Sequence, residues 1–98
     1  MKRRTLIRSE AQDDIRETVQ WYDRKENGLG ERFMKELGRT LRLASKLPLR
    51  FPVVGDDVRR ALLGRFPYSV YFKTEEQRLI IIAVLHQHRR PDIWRVRK

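Results

Sequence analysis

The stretch "RLIIIAVLH", residues 78–86, holds seven consecutive apolar residues, Leu79 to Leu85. Side chains of a strand alternate between its two faces, and here Leu79, Ile81 and Leu85 alternate with Ile80, Ile82 and Val84. A strand apolar on both faces belongs in the middle of a sheet, so it needs a neighbour on each side.

The rest of the chain supplies them. After Pro52 the apolar period changes from that of a helix to that of a strand, and Val58 to Leu63 and Tyr68 to Lys73 read as two more strands. Phe66, Tyr68, Val70 and Phe72 alternate with Ser69, Tyr71 and Lys73, which predicts one apolar face. The links "GRFP" and "TEEQR" are short enough for an antiparallel meander running to His88. A short strand at Thr5 to Arg8 is then expected on the free side of the last one.

Between them lie two amphipathic helices. Ser9 stands where a helix N-cap is expected, with Glu10, Asp13 and Asp14 in the first turn, favourable against the helix dipole. Ala11, Ile15, Val19 and Tyr22 form the apolar stripe of the first helix, with Trp21 beside it. Phe33, Leu37, Leu41 and Ala44 form that of the second, widened by Met34 and Leu43, and Pro48 stops it. Gly38 costs about 1 kcal/mol mid-helix, which close packing on the first helix would explain. The short "NGLG" connection makes the helices antiparallel neighbours. The expected architecture is one α+β domain over residues 1–98, order β-α-α-β-β-β, a helical hairpin on a four-stranded, mainly antiparallel sheet.

Charge narrows the partners. Lys and Arg number 23 against 13 Asp and Glu, for a net charge of +10, and the excess is mostly arginine, whose planar fork matches carboxylates and phosphates. Nucleic acid, an anionic membrane surface or an acidic protein could use it. No apolar segment approaches the ~20 residues of a membrane span, and the basic N-terminus has only Leu6 and Ile7 for an apolar core, so the cytoplasm is the expected compartment. Without cysteine, disulfide frameworks and Cys-based zinc sites are excluded.

"GRFPYSVYF" at 64–72 and "LIIIAVLHQHRRPDIWRVR" at 79–97, with "SEAQDDIRETVQWYDRKENGLGERFMKEL" before them, resemble the ParE branch of the RelE/ParE toxin superfamily. These are the small toxins of type II toxin–antitoxin modules, often called plasmid stabilisation proteins. The resemblance implies a cognate acidic antitoxin and, for the ParE type, DNA gyrase as target. RelE-type relatives instead cleave messenger RNA on the ribosome, and since both share a fold, fold does not choose between them.

Metal-free RNA cleavage needs a base for the ribose 2′-hydroxyl, cations for the phosphorane and a proton donor for the leaving oxygen. The resemblance puts Arg65 where RelE-type nucleases hold phosphate, and His86 and His88, two apart on one strand face, could supply the base. The departures weigh against it. "LRFPVVGDD" has no lysine, and the only aromatic after the last strand, Trp94, transfers no proton. A packed, structural histidine is the bland alternative, and no third ligand stands near His-x-His for a metal. Neither a metal nor another cofactor is expected.

Arg59, Arg60, Arg65, His88, Arg89, Arg90, Trp94 and Arg95 are therefore the expected target-binding set, with Arg97 a further cationic candidate. Their bland alternatives are a solvated basic surface or pairing with Asp56, Asp57, Glu75 or Asp92. Trp94 is also expected to anchor the tail against the sheet, after a turn fixed by Pro91. Trp21 and Tyr22 are the expected antitoxin-binding patch, with core packing the alternative for Tyr22. The function expected is a gyrase-inhibiting toxin without chemistry of its own. The alternatives are a ribosome-dependent endoribonuclease using Arg65 and His88, and a non-toxic family member kept as a binding module.

Overall fold

The structure, a computed structural model, describes residues 3–89 and 92–98. The apolar run forms β5 (Arg78–His86), with neighbours on both sides. The first strand, β1 (Arg4–Ile7), pairs with it in parallel, and β4 (Tyr68–Glu75) pairs antiparallel on the other side. Outward from β4 come β3 (Val58–Leu62) and a strand the alternation did not show, β2 (Val53–Gly55). The sheet is thus five-stranded and mixed, in the order β1-β5-β4-β3-β2, where four strands were expected. Strand β2 is three residues long, too short for an alternation to register. Its hairpin turn, Asp56 and Asp57 at φ 49° and 66°, is the left-handed pair that matches strand twist and that Asp tolerates.

Helices α1 (Ser9–Lys25) and α2 (Leu29–Lys46) form the hairpin that covers one sheet face. Ala11 and Tyr22 from α1 and Phe33, Leu37 and Ala44 from α2 meet Val70, Phe72, Ile81 and Val84 there. Gly28 sits at φ 85° at the entrance to α2, a conformation open to glycine at no steric cost. The close approach between the helices is at Gly30, not Gly38. The Gly30 N–H donates to Asp23 Oδ1 at 2.8 Å, and a Cβ there would stand 2.7 Å from that oxygen. A Cβ on Gly38 would meet only the tip of Arg42. Met34 and Leu43, expected on the buried face, are exposed.

Ser9 is the first residue of α1 rather than its cap. Arg8 takes the cap position in extended conformation because its N–H is still held in the sheet by the Ile81 carbonyl, at 3.1 Å.

The second sheet face is also buried. Between Tyr71↔Ala83 and Phe72↔Ile81 the register shifts by one residue, a bulge that turns both Ile82 and Ala83 to the side away from the helices. Tyr71 lies on that side too, so β4 has no polar face in its middle, contrary to the alternation. The C-terminal turn Ile93–Val96 closes over it: Trp94, 3% exposed, stacks on Tyr71 with ring centres 5.6 Å apart.

Candidate functional site

The helical hairpin and β5 part at one end of the sheet and leave an open groove of about 530 Å³. Its walls are Trp21 and Arg24 from α1, Tyr68 from β4, His86 from the end of β5, and Arg89 and Arg97 beyond it. The groove exists because β1 is short. Strand β1 stops pairing at Ile81, and the rest of that β5 edge is met by side chains. Asp14 accepts the Val84 N–H at 3.0 Å through Oδ2. Arg97 from the tail grips the same carboxylate with two bonds, of 2.6 and 3.1 Å, and Arg8 donates to the Arg97 carbonyl at 2.6 Å. The bond to Asp14 holds the Arg97 pKa above the ordinary arginine value. Asp14, expected only to favour the helix dipole, therefore joins α1, β5 and the tail.

Trp21 stands at the mouth, 36% exposed, with the Lys25 ammonium 4.9 Å and the Arg89 guanidinium 5.7 Å from its ring centre. Both are cation–π distances. Residues 21 and 25 meet because they are one helical turn apart. That signal was readable in "WYDRK"; the approach of Arg89 was not. Tyr22 is no part of an exposed patch. It is 8% exposed, its ring packs on Phe33, Phe66 and Tyr68, and burial pushes its phenol pKa up.

His86 packs its ring edge-to-face on Tyr68, 5.3 Å between centres. Burial first, then the nearby cation of Arg89 and then His88, lower its pKa and favour the neutral imidazole. His88 does not share its strand face. β5 ends at His86, and His88 sits in the following turn, where its backbone N–H donates to His86 Nδ1 at 3.1 Å. One of the two ring nitrogens of His86 is thereby engaged.

The expected target-binding set divides. Arg65 is exposed at φ 71° in the turn before β4, not in the strand. The Gln87 N–H donates to the Pro67 carbonyl at 2.8 Å and ties that turn to the one carrying His88 and Arg89. These three thus share one end of the sheet with Trp21. Arg60 and Arg95 lie on the opposite face: Arg60 pairs in register with Tyr71, and the Arg95 guanidinium covers the Trp94 ring at 4.7 Å. Trp94 itself is buried in the second core, so it anchors the tail and presents no ring to a target. Arg59 donates to the Phe51 carbonyl at 2.6 Å and is spent on the approach to β2. Arg90 and Pro91 lie outside the described residues. Of the acids that could have neutralised this set, Asp56 pairs with Lys98, and Glu75 with Lys73 and Arg78. Among the described residues Arg60, Arg65, Arg89 and Arg95 form no ion pair.

No described helix is long and apolar enough to cross a membrane. A family model described as "ParE toxin of type II toxin-antitoxin system, parDE" matches residues 6–91. Among solved structures, a chain of the "Chromosomal ParDE TA system from P. aeruginosa" has a TM-score of 0.76 and 13% sequence identity, over 87% of this chain and 96% of that one. At that identity the likeness is one of fold. No curated protein matches the sequence.

Proposed function

We propose, from the premise that this chain belongs to the ParE toxin family of type II toxin–antitoxin systems, that it inhibits DNA gyrase by binding and is neutralised by a cognate acidic antitoxin. It does so as one domain over residues 1–98, in the cytoplasm, with no cofactor. The observation that carries this reading is the meeting of Trp21, Lys25 and Arg89 at the mouth of an open groove. A half-exposed indole flanked by cations is the kind of surface that anchors protein–protein contacts, where Trp and Arg dominate the binding energy. Free arginines beside it, Arg65 and Arg89, match carboxylates or phosphates on the partner.

The endoribonuclease reading keeps one observation in its favour: the Gln87–Pro67 bond brings the Arg65 turn and the His88 turn together. Against it, His88 lies in the turn beyond β5 and shares no strand face with His86, and Trp94, the aromatic that follows the last strand, is buried and transfers no proton.

Induced expression in a bacterial host lacking antitoxin separates these readings. Growth arrest with a DNA-damage response and intact transcripts supports gyrase. Arrest with transcripts cut in frame, abolished by His88→Ala, supports the nuclease, and no arrest supports a non-toxic binding module. On the gyrase reading, Arg89→Ala should weaken binding to purified gyrase by about tenfold, as loss of an interface arginine does.

A further inference from the structure

Where α2 ends, a second recess of about 380 Å³ opens beside the helical turn Pro48–Arg50. Leu47, Pro48 and Leu49 supply its apolar part, and Arg3, Lys46 and Arg50 its rim. Leu49 is 77% exposed and Leu47 46%. Pro48 explains the exposure: it ends α2 and starts the tight turn, so the leucines on either side are carried out of the helix stripe.

Charge at this corner is of one sign. From Leu37 to Gly55 the sequence has no acidic residue, while Arg39, Arg42, Lys46 and Arg50 follow one another. Arg39 is paired with Glu36 at 3.2 Å. Among the described residues Arg3, Arg42, Lys46 and Arg50 have no ion pair. Arg3 is short of acceptors as well: its Nε is buried with none, and Nη1 reaches the Ser45 carbonyl only at 3.5 Å.

The neighbouring sheet edge does not invite a strand. The Ser45 hydroxyl accepts the Arg3 N–H at 3.0 Å and donates to the Arg3 carbonyl at 2.8 Å. At the other end of β1 the Gln12 amide donates to the Ile7 carbonyl at 2.8 Å. The outer edge of β1 is thus closed at both ends, and a partner at this corner has to hold on by side chains.

We propose that the Leu47–Arg50 corner is a docking socket for an acidic peptide segment. The segment inserts one leucine-sized side chain between Leu47 and Leu49 and sets carboxylates against Arg3, Lys46 and Arg50. Its source is the antitoxin, so the proposal rests on the reading above and adds a point of grip away from the Trp21 groove. Shape and chemistry select this occupant among anionic partners. A flat bilayer leaves a concave recess unfilled, and a nucleic-acid backbone satisfies the cations but leaves two leucines against water.

Isothermal titration of the purified chain with its antitoxin tests this, with circular dichroism confirming that each variant folds. Leu49→Asp should weaken binding by about tenfold or more, as loss of an interface anchor does. Leu49→Ser, which adds no charge, should weaken it less. Arg50→Glu should weaken it by about tenfold and reduce its salt dependence. Leu62→Asp, at an exposed leucine on the opposite sheet face, should leave the affinity unchanged. Parental affinity in Leu49→Asp would overturn the proposal. So would an equal loss in Leu62→Asp, or loss of oligonucleotide or anionic-vesicle binding in Leu49→Asp while antitoxin binding stays intact. Failure of the parent chain to bind its antitoxin at all would remove the antitoxin reading, and this proposal with it.

Discussion

At the scale of single residues, His86 and Gly55 show how much one side chain, or its absence, controls. Burial and then Arg89 keep His86 more easily deprotonated than an ordinary histidine. Its folded pKa lies below its unfolded one, so as pH falls the unfolded chain binds the proton first. The stability that neutral His86 contributes is complete above the ordinary value of about 6.5 and is lost as pH falls from there through the folded value. His86→Gln should flatten that part of the stability–pH curve in urea unfolding. In an NMR titration, Arg89→Ala should raise the His86 pKa; no change would leave burial and His88 as the causes. Gly55, at φ 156°, holds a backbone conformation that other residues rarely adopt, and a Cβ there would stand 3.1 Å from the Trp94 ring, which would have to give by a few tenths of an ångström. Gly55→Ala should destabilise the fold by about 1–3 kcal/mol through overpacking, with a shift in tryptophan fluorescence as the ring moves.

Individual elements hold to one another through a few polar contacts placed where regular pairing stops. Asp14 is the clearest. It serves Val84 on the unpaired edge of β5 and Arg97 on the tail, with 13% and 15% of the Asp14 and Arg97 side chains exposed. Asp14→Ala leaves a backbone N–H and a guanidinium without their acceptor and should cost about 3 kcal/mol or more, read from denaturant unfolding. Arg97→Leu should cost less, because Asp14 keeps the Val84 bond. Gly30 does the corresponding work in the helical hairpin. Gly30→Ala should displace Asp23, break its bond to the α2 N-terminus and cost about 1–2 kcal/mol. Neither contact follows from helix periodicity, which treats Asp14 and Asp23 alike as solvent-facing acids.

Over the whole molecule there are three layers: the helical hairpin, the sheet, and a tail that closes the face the helices leave open. Deleting residues 92–98 should uncover Val58, Tyr71 and Ile82, bind a hydrophobic dye, and lose more than the about 3–5 kcal/mol of one buried aromatic, since the Arg97–Asp14 bonds go with it. Periodicity and composition alone determined the two helices, three of the five strands of the sheet with their antiparallel links, the place of Leu79–Leu85 at its interior, and the neighbouring position of β1. Those follow from local rules: which face must avoid water, and how short a link can be. Strand β2 was too short for such a rule, although its Asp-Asp turn carried a signal. Only the tertiary structure decided which cations meet. Arg89 joined Trp21, Arg60 and Arg95 went to the opposite face, and Arg59 was spent on Phe51. Arg59 and Arg60 are placed by the register of β3 on β4, Arg89 by a strand that carries a one-residue bulge, and Arg95 by a tail tied to positions as far as 89 residues away. No local pattern of residues encodes register or a return path of that length, because the energy that sets them lies in contacts formed only once the chain has closed on itself.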